Sequence, residues 1–146
     1  MTRMKSLVVF SFAIGTAALA AAQAVDHLQA RHDAMEAVGG AMKTLGGMAR
    51  GQAPFDAAVV KKSATTIADK LAEAEKHFPA GSDAGKTRAK AEIWTNRADF
   101  DRLMGESKKA ATALAAVSDE AAYKAALGAL GGSCKACHDM YRAPEH

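Results

Sequence analysis

Near the end of the chain, Cys134-Lys135-Ala136-Cys137-His138 brings two thiols and an imidazole close together. This C-x-x-C-H order is the spacing of covalent attachment of a c-type haem. On a helix, Cys137 lies three positions and His138 four positions beyond Cys134, so all three share a face. Each sulfur can then form a thioether with a vinyl group of one haem c, while the imidazole of His138 lies beneath the ring as a proximal iron ligand. Three other chemistries use the same residue types. A C-x-x-C redox motif needs a βαβ setting, and no strand pattern is present. A zinc site would take Cys134, Cys137 and His138 plus a fourth ligand such as His146, but a second C-x-x-C is missing. The third is a non-haem helical binding protein of the envelope, in which the cysteines are spectators or form a disulfide.

A helix must present that motif, and the pattern around it supplies one. Tyr123, Leu127, Leu130, Cys134, Cys137 and Tyr141 alternate by four and three, a heptad seam. Ser118 can cap this helix, with Asp119 and Glu120 in its first turn, and Pro144 ends it. Upstream, residues 25–50 carry Leu28, Met35, Met42 and Leu45 on one helical face, with the pairs Gly39-Gly40 and Gly46-Gly47 a heptad apart. Those pairs suit either close approach by a neighbour or simple tolerance. Pro54 opens a second helix bearing Phe55, Val59, Ile67, Leu71 and Phe78, stopped by Pro79. Residues 79–85 form a turn cluster, and a third helix begins near Lys86 with Ile93, Trp94, Phe100, Leu103 and Leu114, interruptible at Gly105. Four amphipathic helices joined by short connections predict an all-α, antiparallel up-and-down four-helix bundle.

The chain has 146 residues, 49% of them hydrophobic, 5% aromatic and 24% charged, with two cysteines and a net charge of +3. That size allows one domain. The apolar content is too high for a disordered chain, two cysteines are too few for a disulfide-stapled scaffold, and the charge is too weak for a nucleic-acid binder. The N-terminus has a basic start at Arg3 and Lys5, an apolar stretch over residues 7–14, and small residues ending in Ala20-Ala21-Ala22-Gln23-Ala24. These are the parts of a secretory signal peptide, residues 1–24, cut near 22–24, with a mature domain over 25–146. An uncleaved anchor is the alternative, since the uncharged stretch between Lys5 and Asp26 is just long enough to span a bilayer. Without Arg3 and Lys5 the remainder is close to neutral. The expected location is the periplasm, with no stable membrane insertion after cleavage.

The terminal stretch Gly131-Gly132-Ser133-Cys134-Lys135-Ala136-Cys137-His138-Asp139-Met140-Tyr141-Arg142 resembles the last helix of the class II cytochromes c, the cytochrome c′ and cytochrome c-556 family. Class I cytochromes c carry the motif near the N-terminus instead. The resemblance extends to Leu28-Gln29-Ala30-Arg31, Phe78-Pro79-Ala80-Gly81 and Lys90-Ala91-Glu92-Ile93-Trp94, essentially the whole mature chain. Cytochrome c′ is itself a standard example of the four-helix bundle. The resemblance implies that Arg31 lies near the haem propionates, that Met35 faces the distal side of the iron as a possible sixth ligand, and that His32 brushes the haem edge. It further implies that Thr87 and Arg88 line the haem, that Arg142 acts on the proximal histidine, and that Trp94 packs close to the cofactor. A free sixth position gives a high-spin centre open to small diatomics such as nitric oxide. Coordination by Met35 gives a low-spin electron carrier. Partners would be such diatomics and redox proteins, with no nucleic acid, and a homodimer through the first two helices. No acid, base or nucleophile constellation argues for an enzyme. His27, His77 and His146 show no partner pattern and are expected at the surface.

Overall fold

The computed structural model describes residues 15–144, with side chains from His27 onward. The basic start and the apolar stretch of the leader lie outside the described residues, as does His146. Five helices follow in order: α1 (Gly15–Ala49), α2 (Ala57–Glu75), the one-turn α3 (Glu92–Thr95), α4 (Arg97–Ala115) and α5 (Glu120–Tyr141). The four long ones form the antiparallel bundle that the periodicity predicts. Each buries its own stripe: Ala34, Val38, Leu45 and Met48 from α1; Val60, Ala64, Ile67 and Leu71 from α2; Phe100, Leu103, Ala111 and Leu114 from α4; Tyr123 and Leu130 from α5. Among the described residues no helix is long and apolar enough to cross a membrane.

Several boundaries differ from the sequence reading, each for a local reason. Helix α2 begins at Ala57 rather than at Pro54, because the Asp56 carboxylate accepts from Ala58 N at 2.8 Å and Val59 N at 3.1 Å. Asp119, not Ser118, caps α5, accepting from Ala122 N at 2.9 Å. Helix α5 stops at Tyr141, where Arg142 turns extended, ahead of Pro144.

The third helix departs furthest. Residues 86–91 are not helical, because their backbone groups are bonded elsewhere. Lys90 N donates to Tyr141 O at 3.0 Å, and Ala143 N donates to Arg88 O at 2.8 Å. Ala89 pairs with Arg142 in an isolated antiparallel bridge, and Thr87 Oγ1 accepts from Ala89 N at 3.1 Å. This strap fastens the segment before α3 to the C-terminus of α5. The break between α3 and α4 falls at Asn96 (φ −122°, ψ 48°), and Gly105 sits inside α4 without interrupting it. The glycine pairs of α1 admit no close neighbour within the chain. A Cβ on Gly39 or Gly40 would meet nothing within 4 Å, and one on Gly46 would meet only the Arg50 side chain.

The bundle is closed unevenly. Helices α1 with α2, α2 with α4, and α4 with α5 pack along their lengths, whereas α1 and α5 barely touch. Their register is nonetheless fixed, because Tyr123, fully buried on α5, donates its hydroxyl to Leu45 O on α1.

Candidate functional site

The expected seam of α5 divides in two. Tyr123, Leu130, Cys137 and Tyr141 are buried, while Leu127, Cys134 and His138 are only partly covered, on the flank beside that stripe. Both cysteines are free thiols. Burial raises the Cys134 pKa, and it pushes Cys137 up to about 11, with the negative charges of Cys134 and Asp99 adding to it. Both are therefore protonated at neutral pH. His138 has its pKa lowered, first by desolvation and then by the cations Arg142 and Arg88, which holds the imidazole neutral with a free lone pair.

The C-terminus of α5 is held by named contacts. Tyr141 donates to Asp99 Oδ2 at 2.8 Å and accepts from Asn96 Nδ2 at 3.0 Å. Lys90 Nζ donates to Met140 O at 3.1 Å, and Arg88 Nε donates to Ala143 O at 2.9 Å. The strap thus brings Arg88 into the field of His138. Thr87, by contrast, spends its hydroxyl on Ala89 N.

Across the thin seam stands α1. Counting back along antiparallel helices from the Leu45–Tyr123 bond, at about 1.5 Å per residue in each, brings Met35 level with Ser133, one residue from Cys134. Arg31 comes level with Cys137 and His138. Met35, Met42 and Leu127 are half-buried and packed against the core, leaving apolar surface along this seam. Arg31 is only 6% exposed. Its Nη2 donates to Ser82 O at 2.9 Å, and its guanidinium lies 4.7 Å from the Phe78 ring centroid and 5.8 Å from that of Trp94. Its Nη1 is buried and finds no hydrogen-bond partner among the described residues. Desolvation lowers the Arg31 pKa, opposed by Asp83.

A buried cationic donor left open beside a helix bearing two thiols and a neutral imidazole suits a cofactor that has both an anionic edge and a metal. The residues present therefore fit a haem with its propionates. A zinc site finds less support, since among the described residues no further His, Cys, Asp or Glu joins Cys134, Cys137 and His138 in a group able to hold a metal ion.

The structure does not bring every expected residue to this place. His32 points outward, 65% exposed at its side chain, toward Glu36 at 3.7 Å. Trp94 is half-buried and donates Nε1 to Pro79 O at 2.8 Å, with its ring beside Phe78 and the Arg31 guanidinium. Two contacts escape the sequence pattern. Asp99 with Tyr141 joins elements 42 positions apart, with no periodic signal to pair them. His27 and His77, expected at the surface, meet with their Nδ1 atoms 3.1 Å apart.

The family model described as Cytochrome C′ matches residues 26–142. The chain belongs to the cytochrome c′ family. It is 41% identical to a cytochrome c′ of Rhodopseudomonas palustris over 120 residues, 81% of this chain and 82% of that one. It is 37% identical to a cytochrome c-556 of Agrobacterium tumefaciens (strain II Chrys), over 79% of this chain and 95% of the relative. The solved R. palustris cytochrome c′ superposes with a TM-score of 0.77 at 40% identity, covering 83% and 98% of the two chains. A nitric oxide complex of a variant cytochrome c prime from Alcaligenes xylosoxidans matches with a TM-score of 0.76 at 30% identity, over 84% of this chain and 97% of that one. Cytochromes c′ carry covalent haem c, and the two thiols of Cys134-Lys135-Ala136-Cys137-His138 are consistent with that attachment.

Proposed function

We propose that this cytochrome c′ is an exported haem protein in which Cys134 and Cys137 bear the haem through thioethers and His138 is the proximal iron ligand. The observation that carries the reading is the buried, unpartnered Nη1 of Arg31, level with Cys137 and His138 across the open α1–α5 seam. Bound haem supplies a redox-active iron able to take up small diatomics. The chain supplies the surroundings. Arg31 offers a positive donor to the anionic edge, and Phe78 and Ser82 hold it in place. Met35, Met42 and Leu127 line the seam with apolar atoms, which penalise water and anions that would lose their hydrogen bonds there. Desolvation first, then Arg142 and Arg88, lower the His138 pKa and favour the neutral imidazole, against Asp139.

In this reading the sixth position is free, the centre is high-spin, and the protein binds neutral diatomics such as nitric oxide, transfers electrons, or both. The nitric oxide complex of the A. xylosoxidans relative supports it. A second reading makes Met35 the sixth ligand of a low-spin electron carrier. It is favoured by the register that brings Met35 within one residue of Cys134, and by relatives named cytochrome c-556. The leader is cut after Ala22 or Ala24 and the mature chain works in the periplasm with redox partner proteins. The exposed Gly39-Gly40 face of α1 leaves room for a second copy.

The oxidised absorption spectrum before and after Met35→Ala separates the two readings. An unchanged high-spin spectrum supports the free sixth position, and a low-spin spectrum turning high-spin makes Met35 the ligand. A Cys134→Ala/Cys137→Ala double variant retaining haem through denaturing electrophoresis overturns both.

A further inference from the structure

Two histidines outside the haem site are brought together by the fold. His27, on α1, and His77, just after α2, lie 50 positions apart in sequence with their Nδ1 atoms 3.1 Å from each other. Their ring centroids are 5.4 Å apart, so the two nitrogens meet head-on. Behind His77, Glu73 Oε1 lies 3.2 Å from Nε2. A carboxylate accepts, so His77 carries its proton on Nε2 and presents a bare Nδ1 lone pair toward His27. Such a carboxylate behind an imidazole is the usual support of a metal-binding histidine. Lys76 Nζ, 3.3 Å from the other Glu73 oxygen, neutralises the carboxylate.

The sequence adds a second, independent feature. Cleavage after Ala24 leaves Val25-Asp26-His27 as the first three residues of the mature chain. An amine, two amide nitrogens and the Nδ1 of a third-position histidine close three fused chelate rings around one ion. Four nitrogens in a plane are the preference of copper(II) and nickel(II). The helix does not oppose this. The first N–H groups of a helix have no intrahelical acceptor, so the amides of Asp26 and His27, which lie inside the uncut α1, become orphans once residues 1–24 are gone.

We propose that the mature N-terminus is a copper(II) or nickel(II) site made by the Val25 amine, the Asp26 and His27 amide nitrogens and His27 Nδ1, with His77 Nδ1 as a further ligand. Binding sends the ammonium proton and the two amide protons to solvent, with no change of oxidation state. His27 moves its remaining proton to Nε2, and the metal takes the place of the hydrogen bond between the two rings. Nitrogens at right angles on one ion are separated by about 2.9 Å when each bond is near 2.05 Å, close to the distance already present. The site is distinct from the haem, but it rests on the export reading and on the cut after Ala24.

The test uses the haem-loaded, leader-processed protein, freed of adventitious metal, with copper(II) supplied from a glycine buffer. Intact mass gives the first residue, calorimetry gives affinity and stoichiometry, and the copper(II) EPR signal reports bound nitrogens. One copper(II) per chain is expected, with four or more nitrogens. His27→Ala should weaken it by at least about 100-fold, since the planar nitrogen set is lost. His77→Ala and Glu73→Gln should weaken it by roughly 10-fold, as supporting groups do. A serine inserted between Ala24 and Val25 keeps the His27–His77 contact but moves the histidine to fourth place, and should weaken binding as much as His27→Ala. A mature chain beginning at Gln23 overturns the proposal, as does tight binding that survives the insertion. A chain that retains Met1 overturns the export reading itself, and the proposal with it.

Discussion

Replacing Arg31 with methionine should cost little in the haem-free chain and much more in the haem-loaded one. In the haem-free chain the substitution removes the charged bond to Ser82 O, about 1.5–3 kcal/mol, and the stacking on Phe78 and Trp94, about 1 kcal/mol. It also removes the buried Nη1 that no group satisfies, returning about 1–3 kcal/mol. The two sides offset to a net loss of about 1 kcal/mol, so haem-free Arg31→Met should unfold only slightly more easily than the parent. With haem attached, an anionic edge at Nη1 turns the same change into the loss of one partner of a buried pair, about 3–5 kcal/mol. Urea unfolding followed by circular dichroism measures both, on haem-free chain produced without the leader and on the processed holoprotein. At an m-value of about 2 kcal/mol/M, the extra loss of about 2–4 kcal/mol in the holoprotein should lower the midpoint by roughly 1–2 M more than in the haem-free chain. Equal shifts in the two forms, within about 0.5 kcal/mol, would refute the assignment of Arg31 to the cofactor.

Gly85→Ala should destabilise the protein by about 1–3 kcal/mol, because Gly85 has φ +106° and a Cβ there would lie 2.7 Å from Leu28 Cδ1. Gly105→Ala should instead stabilise by about 0.5–1 kcal/mol, being inside α4 with nothing within 4 Å; thermal midpoints of both variants check the pair. Tyr123→Phe should cost about 1 kcal/mol in urea unfolding through loss of the bond to Leu45 O, and no change in stability would dismiss that bond as a register pin. Asp99 is held below the ordinary carboxylate range by hydrogen bonds from Arg102 and Tyr141. Its folded pKa lies below its unfolded one, so its stabilisation is complete above pH about 4 and lost as pH falls through the folded value. Asp99→Asn should therefore flatten the acid limb of a stability–pH curve, and a limb unchanged by the substitution would remove Asp99 from its cause.

What could be read from the chain divides by how its physics is encoded. The bundle was legible because each long helix writes its buried stripe locally: Tyr123, Leu130 and Cys137 recur every seven residues, and Leu45, Ile67, Leu71, Phe100, Leu103 and Leu114 fall on the stripes of their own helices. The face that carries both thiols and the imidazole was legible for the same reason, since Cys134, Cys137 and His138 need only helical spacing to share a surface. The third helix misled. Residues 86–91 carry an ordinary helical composition, but their N–H and C=O groups are bonded to Tyr141 and Ala143, and backbone partners have no spelling in side chains. The cap of α5 fell one residue from the expected serine because Asp119 is an equally good acceptor at an equally plausible place.

The site shows the same division more sharply. Arg31 entered by resemblance; its isolation did not, because that depends on Ser82, Phe78 and Trp94 converging from one loop and one short helix on a single guanidinium. A buried cation is costly unless something meets it. Three of its neighbours are apolar rings or a carbonyl, and none neutralises it; Asp83 acts only through space. The strap closes the argument. By fastening Arg88 and Ala143 together, it sets one positive group beside His138 and fixes the end of the helix that carries both thiols. The motif therefore states which chemistry is possible, while the non-local contacts of Arg31, Arg88 and Tyr141 determine the electrostatic field in which it occurs.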